Sequence, residues 1–289
     1  MKGGRVMTPI LLTDLIHIND PTQYKLHLAC ASDGIQPLDE YIEGRDNWIR
    51  WNRWRGKKDD WNRDFIFSFI EFYHIPDAWL FGDVFRVIAR HDPGPEESNS
   101  NGYDLEIVEE FHKYEGRLIC KFHRRRGLRG RAYKLEKFID SFEVLEILPT
   151  KYEGETFKKF EEVNHPLGFL RAIVHREKQD WKYPLSAVKG VYLIMDTSSG
   201  KYYVGSAYGD GGIWSRLTCY INTGHGWNEG LVDLINKKAA QGENDYATKN
   251  FKFSLLETFP FTTPDQIILN RETHWKNVLM SNKFGHFNR

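Results

Sequence analysis

Cysteine is scarce in this chain, with Cys30, Cys120 and Cys219 scattered over 289 positions. Three scattered thiols exclude a disulfide framework and zinc-ligand pairs of the CxxC type. A reduced, cytoplasmic setting is therefore expected. No apolar run approaches the roughly 20 residues that a membrane helix requires, so no membrane partner is expected. The opening residues lead from Arg5 to Pro9 and Asp14 rather than into a long apolar core, and a secretory leader is not expected either. An excess of either charge is also missing: 40 Lys+Arg against 40 Asp+Glu leave a net charge of +0. This excludes a histone-like phosphate binder and confines any nucleic-acid surface to a patch. Internal repeats and low-complexity tracts are not visible.

What is present describes a globular chain. Hydrophobic residues make up 40% and charged residues 28%, and the length predicts two domains, each with its own core. The expected divisions are a first domain over 1–150, a connector over 151–184 rich in Gly, Pro and charge, and a last domain over 185–289.

In the first domain, Leu11 to Ile18 reads equally as a short helix or strand, and Tyr24 to Ala31 alternates as a strand. Pro37-Leu-Asp-Glu40 starts a helix, with Pro suited to a first turn and the acids to the positive end of the dipole. That helix carries Tyr41, Trp48, Trp51 and Trp54 beside Arg45, Arg50, Arg53 and Arg55. The tryptophans are read as packing on a sheet; Arg50 and Arg53 are candidate phosphate contacts. Further strands are read over Phe65 to Tyr73, Trp79 to Arg90, Leu105 to Phe111, Arg117 to Phe122 and Phe142 to Leu148. Together they predict a small curved sheet or barrel with helices.

Between those strands runs a basic stretch in which Arg124, Arg125, Arg126, Arg129, Arg131, Lys134 and Lys137 meet only Glu136. Gly127 and Gly130 read it as a flexible loop able to lie on a nucleic-acid backbone, where arginine forks match phosphate. In outline this domain is similar to the PUA-like readers of modified bases. Such a likeness implies an aromatic slot, with Trp61, Trp79 or Phe81 as candidates.

The last domain reads hairpin, helix, helix, strand, helix. Val191 to Ile194 and Tyr202 to Val204 are short strands joined by the polar link Asp196 to Gly200. Alternation lets a tyrosine on one strand meet a tyrosine on the other. A turn with Gly209, Gly211 and Gly212 follows, then a helix with Arg216 and Tyr220 one turn apart on one face. Asn228 is a helix N-cap, Phe251 to Leu256 a third strand, and Pro264-Asp265 the opening of a helix with Glu272 and Lys276 one turn apart.

The triplets Gly190-Val191-Tyr192 and Tyr203-Val204-Gly205, followed in order by Arg216, Glu272 and Asn288, resemble the GIY-YIG nucleases. The resemblance covers about the last third of the chain, from Lys189 to Arg289. It implies a small antiparallel sheet flanked by helices, hence an α+β protein overall. It also implies a divalent-metal-dependent DNA endonuclease with Glu272 on Mg²⁺ or Mn²⁺ and Arg216 clamping the phosphate. Tyr192 would be the general base, Tyr203 would position the water, and Asn288 would orient the phosphate or leaving group. Tyr220 stands where some members carry His, which leaves the proton-transfer assignment open, with His225 and His286 as substitutes. A phenol titrates near about 10, so base work at neutral pH requires a nearby cation.

A reader domain joined to a single-strand cutter is similar to stand-alone restriction enzymes of that family. The expected substrate is double-stranded DNA, with base-modified phage DNA as a candidate, and the expected assembly is a homodimer on DNA. The alternatives are a repair or recombination nuclease for branched DNA and a DNA-binding module with an inactive nuclease fold. A homing nuclease is disfavoured by the C-terminal place of the nuclease domain.

Overall fold

The structure is a computed structural model describing residues 8–91, 102–125, 128 and 130–285. The chain divides into two compact units. One holds the chain up to Ser32 together with Gln36–Glu153, and the other holds Asp33–Ile35 and the chain from Gly154 onward. Each has its own sheet and its own helices, so the class is α+β. Among the described residues, no helix is long and apolar enough to cross a membrane.

The first unit begins with the short helix α1 (Leu12–Leu15) and strand β1 (Tyr24–Ala29). Two helices follow, α2 (Pro37–Glu43) and α3 (Arg45–Arg53), where the sequence predicts one. Gly44 separates them by taking an extended conformation, φ 178° and ψ 147°. Strands β2 (Phe65–Glu71), β3 (Ala78–Arg90) and β4 (Tyr103–Ile107) come next, then α4 (Glu109–His112), β5 (Leu118–Lys121), β6 (Ala132–Lys134) and β7 (Glu143–Ile147). The sheet runs β6-β1-β2-β3-β5-β7, with β4 also paired to β3. Among the described residues of this sheet, only β1 and β2 pair in parallel. Both faces of β2 are buried, which suits its Phe-Ile-Phe-Ser-Phe-Ile run. Strands β6 and β7 end the path, so among the described residues the sheet is open and no barrel closes.

The tryptophans of α3 and its C-cap divide by position. Trp48 is buried on the sheet with its Nε1 donating to the Gly82 carbonyl at 2.6 Å, whereas Trp54 is 44% exposed. Trp61, Trp79 and Phe81 do not form the expected slot for a base. All three are buried in the fold, and the two indoles donate to backbone carbonyls of Asn52 and Phe122.

The second unit starts within the expected connector. Strand β8 (Asn164–Pro166), α5 (Leu167–His175) and α6 (Gln179–Ser186) all precede the hairpin of β9 (Val188–Asp196) and β10 (Tyr202–Ala207). Leu167, Phe169, Leu170, Trp181 and Leu185 enter the same core as the hairpin. Charge at Arg176 and Glu177 sits on exposed positions and hides this apolar face in the sequence. Then come α7 (Gly212–Thr223), α8 (Glu229–Ala240), α9 (Tyr246–Asn250), β11 (Phe251–Pro260) and α10 (Asp265–Val278). The sheet order is β10-β9-β11-β8, antiparallel throughout. This is the helix-flanked antiparallel sheet expected for the last domain, enlarged by β8 and its two helices.

Candidate active site

The hairpin register sets Tyr192 opposite Gly205, with Tyr203 two residues from Gly205 on the same strand. The two tyrosines are therefore diagonal neighbours on one face. Their ring centroids lie 6.4 Å apart. A Cβ at Gly205 would stand 2.5 Å from the Tyr192 hydroxyl and 2.6 Å from Tyr203 Cε1. Glycine at this point leaves the volume in which the two phenols meet. The first glycine of the motif, Gly190, is set by backbone instead, because a Cβ there would collide with the Glu257 carbonyl on β11.

Helix α7 brings Arg216 and Tyr220 onto these rings. Arg216 Nε donates to Tyr192 Oη at 2.7 Å, and its guanidinium carbon lies 5.1 Å from the centre of the Tyr220 ring. The hydroxyls of Tyr192 and Tyr220 are 3.3 Å apart. Behind them, Phe253 of β11 stacks on Tyr192 at 5.2 Å. Tyr192 and Tyr220 are fully buried.

From the other side α10 supplies Glu272. Its Oε1 pairs with Lys276 Nζ at 2.6 Å, one helical turn on, and its Oε2 accepts from the Ser206 hydroxyl. An open cleft of about 580 Å³ lies among these groups, and its walls include Tyr203, Ser206, Arg216, Cys219, Leu269 and Glu272. Arginine and carboxylate thus share one cavity with the phenols of Tyr203 and Tyr208, whereas Tyr192 and Tyr220 lie in the core behind Arg216.

Burial dominates the titration of the phenols. It pushes Tyr192 well above the ordinary tyrosine value, with the neighbouring Tyr220 and Tyr203 adding to the rise and Arg216 opposing it. Tyr220 rises for the same first reason. Tyr203 also rises, through burial and then the Glu272 carboxylate, against Arg216, Lys276 and a hydrogen bond with Asn228. Burial works against the charge of Arg216, but the phenols of Tyr192 and Tyr220 outweigh it and its value is raised. The guanidinium is therefore held charged and aimed. A buried phenol with a raised value is a poor base at neutral pH, which bears directly on the role expected for Tyr192.

Ser206 and Asn228 enter the site although the sequence does not point to them. Ser206 follows the second triplet directly, and Asn228 caps α8 through its Oδ1, which accepts from Leu231 N at 3.0 Å. Asn288 and His286 lie outside the described residues.

The basic stretch of the first unit divides in two. Arg124 is turned inward: its guanidinium meets Cys30 Sγ at 2.9 Å, the Gly130 carbonyl at 2.7 Å and Tyr133 Oη at 3.2 Å. Arg131 lies between Trp54 and Trp61, 4.7 and 4.8 Å from the ring centres, and its Nε donates to Asp60 at 2.9 Å. Both guanidiniums have internal partners, where the sequence reading expects free phosphate contacts. Their neighbour strand β6 pairs with β1, so part of the expected loop is sheet edge. Arg125 and Lys134 are exposed, as is Arg50, whereas Arg53 is half-buried. Arg126 and Arg129 lie outside the described residues.

One further cluster draws together Asp83, His112 and Glu115, whose ligand-type atoms lie within 4.8 Å of one another. His112 Nδ1 meets Asp83 at 2.8 Å, Arg45 reaches Asp83 at 3.4 Å, and Lys151 pairs with Glu115. Two cations thus balance the two buried carboxylates, and the cluster reads as an ion-pair network.

No family model, curated protein or solved structure matches the chain.

Proposed function

We propose that the second unit is a GIY-YIG-type nuclease that hydrolyses DNA phosphodiesters with a divalent metal, and that the first unit reads the DNA. The observation that carries this reading is the shared cleft of Tyr203, Arg216 and Glu272, with Tyr192 fixing Arg216 from behind. Phosphodiester hydrolysis requires a held phosphate, a positioned water and compensation for charge on the phosphorane and the departing oxygen.

The donor set fits a hard cation. Glu272 is a carboxylate on the cleft wall, and Ser206 beside it offers a second oxygen. One carboxylate leaves most of a Mg²⁺ or Mn²⁺ shell to water and phosphate oxygens, as magnesium sites commonly do. When bound there, the ion supplies positive charge for the phosphorane and the leaving oxygen. Arg216 grips the phosphate, and its direction is fixed by the hydrogen bond to Tyr192. Tyr203 lines the cleft with Arg216 and Glu272, and in this reading it holds the attacking water. In this reading Tyr192 and Tyr220 position Arg216 and do not exchange protons with substrate.

Its place is restriction or phage defence in the cytoplasm, with one cleft cutting one strand and two protomers pairing on double-stranded DNA. A second reading, a DNA-binding module without activity, draws on the Lys276 ammonium already seated on Glu272. The two are separated by offering Mg²⁺ or Mn²⁺ with plain, methylated, hydroxymethylated, glucosylated and branched DNAs. Cutting of one modified DNA identifies a modification-dependent restriction enzyme, and cutting confined to branched DNA points to repair. Binding without any cutting supports the inactive module.

A further inference from the structure

Beside Gly226, which abuts the Tyr220 ring, the chain carries a largely exposed aromatic residue. Trp227, in the turn between α7 and α8, is 74% exposed, more than any other large hydrophobic side chain among the described residues. Its backbone is left-handed, at φ +63°. That conformation is a genuine outlier for a bulky side chain, and glycine or asparagine adopts it at far lower cost. Neither burial nor backbone preference accounts for tryptophan here, so a different constraint keeps an indole at the surface.

The turn that presents it is tightly held. Thr223 Oγ1 accepts from Gly226 N at 2.8 Å, Trp227 N donates to His225 Nδ1 at 3.0 Å, and Asn228 N donates to the His225 carbonyl at 3.0 Å. The His225 ring meets the indole edge-on at 5.1 Å. Burial lowers the His225 value, which keeps Nδ1 available as an acceptor. Both chain neighbours of Trp227 touch the site. Gly226 lies so close to the Tyr220 ring that a Cβ there would come within 2.5 Å of it. The Asn228 side chain holds down the titration of Tyr203, which lines the cleft. The turn that carries the exposed indole thereby flanks Tyr220 and Tyr203, two of the tyrosines around Arg216.

We propose that Trp227 is a stacking platform for a nucleobase beside the cleft, holding the nucleotide next to the phosphate that Arg216 grips. The proposal rests on the nuclease reading and adds its substrate contact. An indole face accepts any base, because every base has a π-face. The contact therefore fixes the strand without reading sequence, and it favours a base already unstacked from its neighbour.

The test uses the full chain with Trp227→Ala, Trp227→Phe and Trp227→Gly. Binding to short duplex and single-stranded oligonucleotides is followed by anisotropy in Ca²⁺, cleavage in Mg²⁺, and thermal midpoints throughout. Trp227→Ala is expected to weaken binding roughly tenfold, chiefly in Kd and KM, with a smaller effect on kcat. Trp227→Phe should retain most affinity but lose the component of tryptophan fluorescence that DNA quenches in the natural protein. Trp227→Gly, which relieves the left-handed strain, should bind as weakly as Trp227→Ala with no fall in thermal midpoint. Unchanged affinity and cleavage in Trp227→Ala would overturn the proposal. So would a change in oligomeric state alone, which would make the indole a protein contact. If the natural protein binds DNA through Trp227 but never cuts it, stacking stands and the nuclease reading falls. If it binds no oligonucleotide at all, both fall.

Discussion

Replacing Tyr192 with Phe removes one oxygen and little else. The ring stays stacked on Phe253 at 5.2 Å and diagonal to Tyr203 at 6.4 Å. What disappears is the acceptor for Arg216 Nε at 2.7 Å and the partner of Tyr220 Oη at 3.3 Å. A hydrogen bond to a charged group contributes about 1.5–3 kcal/mol. Arg216 also faces the open cleft, where water can solvate it in part, so about 1–2 kcal/mol of stability should disappear. Urea unfolding followed by a probe in the second unit should show a lower midpoint at an unchanged slope. Cleavage should fall by about 10- to 100-fold, because the guanidinium is no longer held in one direction. The pH profile decides between roles. Burial holds the Tyr192 phenol well above its ordinary value, so any limb between about pH 6 and 9 belongs to another group. Phe at this position should lower the profile without changing its shape. A variant with full stability and activity, or one that loses the basic limb, would refute this reasoning.

Other outcomes follow from the same structure. Gly205→Ala places a methyl 2.5 Å from Tyr192 Oη and 2.6 Å from Tyr203 Cε1; overpacking of about 1–3 kcal/mol and a displaced Tyr203 should appear in urea titrations and in cleavage, and normal values for both would contradict the packing. His27 is buried, and burial lowers its value from 6.5 to about 3. The unfolded chain therefore takes up a proton below 6.5 that the folded unit refuses. Stability should fall by about 2 kcal/mol from this residue between pH 7.5 and 5, and unfolding at the two pH values should show that increment missing in His27→Asn. Arg125→Ala with Lys134→Ala should weaken DNA binding and flatten its salt slope by about one for each phosphate that is no longer neutralised. Arg131→Ala should instead destabilise the first unit by about 2 kcal/mol or more, because it empties a charge-paired slot between two indoles; DNA titrations over salt and urea unfolding separate the two effects.

Most of the second unit is legible in the sequence because its signals are local. The hairpin link ends in Gly200, Asn228 caps its helix through Leu231 N, and Pro264 directly precedes α10. The relation of Tyr192 to Tyr203 follows from strand alternation once the register is known. Whether a phenol faces the cleft or the core depends on the elements packed over it, and the burial that raises the Tyr192 value is not visible in the motif. In α5 and α6 the charged residues mask an apolar face that shows only once the core of the second unit is assembled around it. The basic stretch misleads for a related reason. Arginine counts carry no information about partners, and Arg131 finds its own in Trp54, Trp61 and Asp60, which are distant in sequence. Gly44 looks like an ordinary interior residue, yet its extended backbone divides α2 from α3.

The central claim stands or falls on Glu272. Purified protein and Glu272→Ala should be compared on a panel of plain and base-modified duplexes and branched DNAs, with Mg²⁺ or Mn²⁺ and with chelator. The account predicts cleavage of at least one DNA that requires the metal, disappears in Glu272→Ala and leaves DNA binding and fold intact. Metal-dependent cleavage that persists in Glu272→Ala, or binding by the natural protein with no cleavage of any substrate, would contradict it.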